Sequence, residues 1–302
     1  MMKFATVAFV AAVINCVREG AAAPSNLTSD QTLLWTESTN QTLQVAAPSN
    51  GIDQTLSRLG DLVPVASGIL NQEYIPLSDC QAIYESGLTI SGLYYINPNG
   101  KGQFLVYCDM SKLDGLNNGW TLFQRRRDGT FDFNRNWDEY RSGFGNLKNN
   151  FWLGLDSIKR LTDAASYKLY IAVQYHGADV TTGQTVRYAK YNTFGIGSEV
   201  MYYKLSVGSY DPSSTIVDSL CINHNGKFFS TKDRDNDNSP PNCANMYQAG
   251  WWYYGCVDAN LNGVWQDIGY YNSTRLPSRY GVAWKTDQNN YSFKTTVMAV
   301  RR

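Results

Sequence analysis

The clearest periodicity in the chain runs from Lys168 to Tyr175, KLYIAVQY, where Leu169, Ile171 and Val173 recur on one face at a spacing of two. Such alternation predicts a strand with one buried side. Thr185–Tyr191 and Glu199–Val207 predict further strands. Trp137–Tyr140 and Leu155–Leu161 predict short helices, and Asp156 is placed to cap the second by accepting from its free backbone N–H groups. Asn-Gly pairs at Asn99-Gly100, Asn118-Gly119, Asn225-Gly226 and Asn262-Gly263 mark turns. Short helices scattered among antiparallel strands predict an α+β domain over residues 76–302, not a doubly wound sheet.

The pattern is different upstream. Residues 24–75 are rich in Ser, Thr, Asn, Gln and Ala and predict a flexible or short-helical stalk. Ile52, Leu56, Leu59 and Val63 fall four, three and four apart, which suits a short amphipathic helix or a brief heptad seam. A sustained coiled coil needs at least three or four heptads. Residues 1–23 predict a secretory signal: Lys3, then an apolar run from Phe4 to Ile14, then small Ala21-Ala22-Ala23. The run is shorter than the ~20 residues that span a bilayer. A secreted, extracellular glycoprotein follows, with no membrane partner and with sequons at Asn26, Asn40, Asn272 and Asn290.

Composition narrows the chemistry. A formal net charge of +0 leaves no electrostatic footprint for nucleic acid. Removing Cys16 with the signal leaves Cys80, Cys108, Cys221, Cys243 and Cys256. An oxidising destination favours the local pairs Cys80–Cys108 and Cys243–Cys256. Cys221 is then either a buried small hydrophobe or an intermolecular bridge. The chain has 2 histidines, His176 and His224, and no H-E-x-x-H, G-x-S-x-G or phosphate-binding glycine loop. Asp156 and Asp163 do not by their spacing share a cleft. The reading is a binding protein without catalytic residues.

The most informative stretch is Phe229 to Gly263. Asp233, Asp235 and Asp237 alternate, which suits a hard-oxygen site for calcium or, equally, a solvated acidic turn. An EF-hand is excluded, because the sixth position of the loop is Asn238 and the twelfth Ala244. Cys243 and Cys256 bracket the aromatic block Trp251 to Tyr254, which offers flat, half-polar surface for a ligand. Arg125 to Arg127 suggest an anion-binding patch.

Several motifs together resemble the fibrinogen-related domain, the C-terminal globular domain of fibrinogen chains, ficolins, tachylectins, angiopoietins and tenascins. They are Asp79-Cys80 with Ser91-Gly92-Leu93-Tyr94, Val106-Tyr107-Cys108-Asp109-Met110, Gly119-Trp120-Thr121 with Gln124-Arg125-Arg126, Asp128-Gly129-Thr130-Phe131-Asp132-Phe133 and Phe151-Trp152-Leu153-Gly154-Leu155. Phe229-Ser230-Thr231-Lys232-Asp233, Asn242-Cys243-Ala244, Gly250-Trp251-Trp252-Tyr253 and Asn260-Leu261-Asn262-Gly263 complete the set, in the family's order. The resemblance implies a secreted recognition domain with calcium as cofactor. It places calcium on the carboxylates of Asp235 and Asp237 and the carbonyls of Ser239 and Pro241, with Asp233 outside the first shell. It implies a cis bond at Asn242–Cys243 and a ligand pocket of Asn242, Cys243, Tyr247 and Tyr280. Val257 stands where the family carries a histidine. It also turns Gln124-Arg125-Arg126 into a strand with a structural role. Two partners are implied: acetylated glycans of a microbial surface, bound in innate immunity, or a receptor protein engaged by a signalling or matrix ligand, with homo-oligomers possible in either case.

Overall fold

In the computed structural model, residues 76–115, 117–177, 183–269, 276–285 and 291–302 are described. All belong to the second of two units, Met1–Glu73 and Tyr74–Arg302. The signal, the stalk and all four sequon asparagines lie outside the described residues.

Alternation at 168–175 becomes a strand because its apolar face has a core to meet. The elements in order are α1 (Cys80–Glu85), β1 (Gly92–Ile96), β2 (Phe104–Asp109), β3 (Trp120–Arg126), α2 (Trp137–Ser142), β4 (Phe144–Gly145), β5 (Phe151–Trp152) and α3 (Leu155–Ala164). Then come β6 (Tyr167–Gln174), β7 (Val186–Ile196), a 3-10 turn (Glu199–Met201), β8 (Leu205–Tyr210), α4 (Cys221–His224), α5 (Cys243–Tyr247), β9 (Ala259–Asn260), β10 (Ala283–Trp284) and β11 (Thr295–Arg301). Among the described residues one 9-stranded sheet runs β1-β2-β3-β11-β6-β7-β8, with β4 and β5 attached beside β3. The pairings are antiparallel, and the α+β expectation holds. Leu169, Ile171 and Val173 of β6 are buried as the alternation requires.

Two local expectations are corrected. Glu199–Val207 is not one strand. Tyr202 and Tyr203 adopt φ of 49° and 47°, left-handed values that extended pairing does not use, so the strand begins only at Leu205. Asp156 does not cap α3; Gly154 is the cap residue, and the Asp156 carboxylate instead accepts from the Tyr203 hydroxyl. That bond fixes the reversal that interrupts the strand.

All of β3 is buried, including Gln124, Arg125 and Arg126. Buried polar groups need partners; Arg125 finds its own at the Leu147 and Asn149 carbonyls beside β5, and Gln124 and Arg126 reach into the loop-rich C-terminal half. Gln124 Nε2 donates to Leu261 O at 2.9 Å, Arg126 Nη1 to Gly263 O at 2.9 Å, and Gln124 Oε1 accepts from Thr296. The sheet thus grips the Asn260–Gly263 turn. A Cβ on Gly263 would lie 2.1 Å from Gly281 O, backbone that cannot step aside. Gly263→Ala is therefore expected to cost about 1–3 kcal/mol, read as a lower urea midpoint at unchanged m-value; an unaltered midpoint would refute this close approach.

Candidate functional site

The acidic loop is built in two parts. Its first part is an anchor. Ser230 and Trp251 exchange backbone bonds of 2.9 and 3.1 Å, and Thr231 pairs with Arg234. Asp233 Oδ1 accepts from Trp137 N at 2.9 Å and from Thr231 Oγ1 at 2.7 Å, so this carboxylate closes the start of α2. Lys232 Nζ donates to Asn134 O, and the Arg234 guanidinium lies 4.1 Å over the Trp137 ring. Asn136 caps α2 with a reciprocal bond to Glu139, which holds that landing site rigid.

The second part presents the acid pair. Asp237 Oδ1 accepts from Ser239 N at 2.8 Å and its Oδ2 from Cys243 N at 2.9 Å, while Asp235 Oδ1 accepts from Asp237 N. Burial raises the Asp237 pKa above the usual carboxylate range; those two N–H groups oppose the rise, and the adjacent Asp235 carboxylate adds to it. Two carboxylates crowded at one place are the arrangement that a divalent cation relieves, and their hard oxygens suit calcium. Among the described residues no group of three or more His, Cys, Asp or Glu side chains could hold a metal ion. A cation at Asp235 and Asp237 would therefore take its remaining oxygens from backbone carbonyls, and half-buried Ser239 and exposed Pro241 follow in the same loop.

Asp237 joins this loop to the disulfide. Asn242 caps α5 by accepting from Asn245 N at 2.8 Å, and the Cys243 N–H that follows is the one bonded to Asp237. Among the described residues the cis peptide is Gly255–Cys256, not Asn242–Cys243. The expected position is corrected by this geometry: Asn242–Cys243 leads straight into a capped helix, and the irregular backbone belongs to the other cysteine. Both expected bridges are present, Cys243–Cys256 and Cys80–Cys108, with Cα separations of 5.5 and 5.3 Å. Cys221 is unpaired and half-buried, its Sγ 3.4 Å from Val207 O, and burial raises its pKa.

The aromatic block is not a ligand surface. Trp251, Trp252 and Tyr253 are buried. Trp252 packs on Phe229 and Trp152, with ring centroids 5.1 and 6.1 Å away, so these rings join the loop-rich half to the sheet. Composition reveals apolar area but not which way it faces. Tyr247 is also nearly buried; its hydroxyl donates to Ser278 O at 3.2 Å and its ring is 6.2 Å from Tyr253. Tyr280 is half-buried two residues beyond Ser278. The Val257 side chain is buried too, while its carbonyl accepts from Arg279 Nη1 at 2.6 Å. Asn242, Cys243 and Tyr247 share α5 and its cap, and the 276–280 segment that carries Tyr280 joins them through the Tyr247–Ser278 bond and joins Val257 through Arg279.

Two residues that sequence reasoning passed over hold this region. His224 is fully buried, and its Nδ1 lies 2.7 Å from Trp252 O. Its Nε2 accepts from Asp258 N at 3.1 Å and Ala259 N at 3.0 Å, which fixes the neutral tautomer with the proton on Nδ1. Burial lowers its pKa to about 4. Asp258, 4% exposed at its side chain, pairs with Arg279 at 2.8 Å and Lys285 at 3.2 Å and accepts from Asn223. A lone histidine and an isolated acid carry no spacing signal, so only the fold reveals them.

The sequence model of a family described as "Fibrinogen beta and gamma chains, C-terminal globular domain" matches residues 77–302. The chain belongs to the fibrinogen-related family. Relatives share much of this domain: tenascin-R of Gallus gallus is 44% identical over 202 residues, fibrinogen-like protein 1 of Rattus norvegicus 41% over 240, and ryncolin-4 of Cerberus rynchops 40% over 224. Those alignments cover 64%, 74% and 74% of this chain but 14%, 71% and 60% of the relatives. Among solved structures, the fibrinogen-like globe domain of human ANGPTL2 superposes with a TM-score of 0.68 at 38% identity, covering 75% of this chain and 99% of that one. A lamprey fibrin D-dimer complexed with the peptide ligand Gly-His-Arg-Pro-amide gives 0.66 at 32% identity, over 82% and 83%. The fibrinogen-like globe fold accounts for the antiparallel sheet with few short helices.

Proposed function

We propose that this fibrinogen-related domain is a secreted, calcium-dependent lectin that binds acetylated carbohydrates on microbial surfaces. One observation carries the reading: Asp237 accepts from the Cys243 N–H, so the acid pair and the helix bearing Tyr247 form one connected unit. Calcium on Asp235 and Asp237 would neutralise the crowded carboxylates and stiffen the start of α5. Asn242, Cys243, Tyr247 and Tyr280 would then shape a small site for the methyl and carbonyl of an acetyl group. No helix among the described residues is long and apolar enough to cross a membrane.

The alternative is an extracellular signalling or matrix ligand that engages a receptor protein through the same face. The buried Val257 in place of a histidine favours it, as does the peptide held by the lamprey fibrin neighbour.

Retention on an N-acetylated resin, with elution by chelator or free acetate, separates the two. Tyr247→Ala is expected to weaken retention about tenfold or more, the scale of ~1–3 kcal/mol for a lost partner in a pocket, while circular dichroism stays native. Wild type that flows through in calcium would abandon the lectin reading for the receptor one.

A further inference from the structure

A cleft of about 280 Å³ lies between the turn after β3 and the turn after β9. Arg126, Phe131, Asp132, Gln248, Asn262 and Trp265 are among its walls. Arg126 is 2% exposed. Its Nη1 is spent on Gly263 O and its guanidinium lies 3.9 Å over the Phe133 ring. Its Nε is buried with no hydrogen-bond partner, and among the described residues no carboxylate lies within ion-pair distance. Asp132 and Asp128 favour its charge only from beyond ion-pair distance, and a buried cation without a directly paired counter-ion is costly. Burial lowers its pKa only to about 10, so it stays charged at neutral pH.

We propose that this cleft binds a single carboxylate-bearing sugar, with the ligand carboxylate pairing with Arg126. The volume is at the small end of ligand sites and suits one pyranose ring. Trp265 presents apolar ring surface to the C–H face of a sugar, and Phe131, stacked on Phe144, lines the wall. Trp265 can lie against this turn because residue 129 is Gly: a Cβ there would be 2.5 Å from the indole. Exposed Asp132 on the wall disfavours a polyanion and accepts from sugar hydroxyls. A peptide chain has no strand edge to extend here, since the end of β3 is paired on both sides, with β11 and with β5. Gln248 follows Tyr247 directly, so the subsite would adjoin the acetyl site; it stands on its own observations and does not need that reading.

Calorimetric titration of the full chain in calcium tests it, with glucuronate, glucose, sulfate and a glutamyl dipeptide at matched concentrations. Glucuronate is expected to bind and glucose, sulfate and the dipeptide to bind at least tenfold more weakly. Arg126→Met removes the charge at similar volume and is expected to abolish glucuronate binding. Should that variant not fold, Gln248→Glu, an exposed change that adds repulsion at the mouth, is expected to weaken glucuronate about tenfold and leave glucose unchanged. Tyr247→Ala should leave glucuronate binding intact, which separates this site from the acetyl one. Equal binding of glucose and glucuronate, sulfate or dipeptide binding as tight as glucuronate, or a Gln248→Glu protein with wild-type affinity would each overturn the proposal.

Discussion

Asp235→Asn and Asp237→Ala are each expected to melt at the same temperature in calcium and in chelator, whereas the parent protein melts higher in calcium. A cation that binds only the folded state adds ~2.7 kcal/mol at a hundredfold excess over Kd, on the order of 5–10 °C for a domain of this size. The two variants should differ without calcium. Asn at 235 keeps an oxygen for the Asp237 N–H and removes the like charge that presses on the half-buried Asp237 carboxylate. Its calcium-free stability should match or slightly exceed that of the parent. Ala at 237 loses the acceptor of the Ser239 and Cys243 N–H groups and should be less stable throughout. Scanning calorimetry with and without chelator is the measurement. A parent protein whose melting temperature ignores calcium would remove the metal from the site.

Acid should unfold the domain through His224. The folded pKa of this imidazole is about 4 against an ordinary 6.5. The unfolded chain therefore takes up the proton first as pH falls. The stability tied to neutral His224 is complete above pH ~6.5 and is lost at about 1.4 kcal/mol per pH unit as pH drops towards 4, a total on the order of 3 kcal/mol. The physical reason is specific: Nε2 must keep its lone pair for the Asp258 and Ala259 N–H groups. Urea titrations in chelator from pH 7.5 to ~4 should show this slope in the parent. His224→Gln should be weaker at neutral pH but lack that part of the slope. Parallel profiles for both proteins would mean that His224 does not carry the effect. Subtraction of one profile from the other also removes the carboxylates that titrate near the lower end.

Legibility followed locality. Leu169, Ile171 and Val173 could be placed from their own spacing because a strand face is a local periodicity. Residues 199–207 could not: the left-handed pair Tyr202-Tyr203 is held by Asp156, a residue more than forty positions away, and no composition marks it. In the acidic loop the three aspartates look alike in sequence. Asp233 departs from the other two because Trp137 N, a partner 96 positions earlier, claims its carboxylate. The tryptophan block was read as surface because its size signals contact area while its burial depends on Phe229 and Trp152. Arg126 was visible within a run of three arginines, but its missing acceptor is a property of the folded cleft alone.

The position of β11 sets the order in which the domain can be made. Within the described chain it is the last strand in sequence, yet it lies between β3 and β6 at the middle of the sheet. On a ribosome, β1–β3 and β6–β8 emerge as two separate antiparallel ribbons, each with one open edge that β11 will later fill. Neither can complete the sheet until residues 295–301 have left the exit tunnel. At synthesis rates of about 5–20 residues per second, the interval between β8 and β11 holds both ribbons exposed for several seconds. A nascent chain of this kind has two unpaired strand edges to protect for that interval, and a stall before residue 295 would leave a species ready to pair with its neighbours.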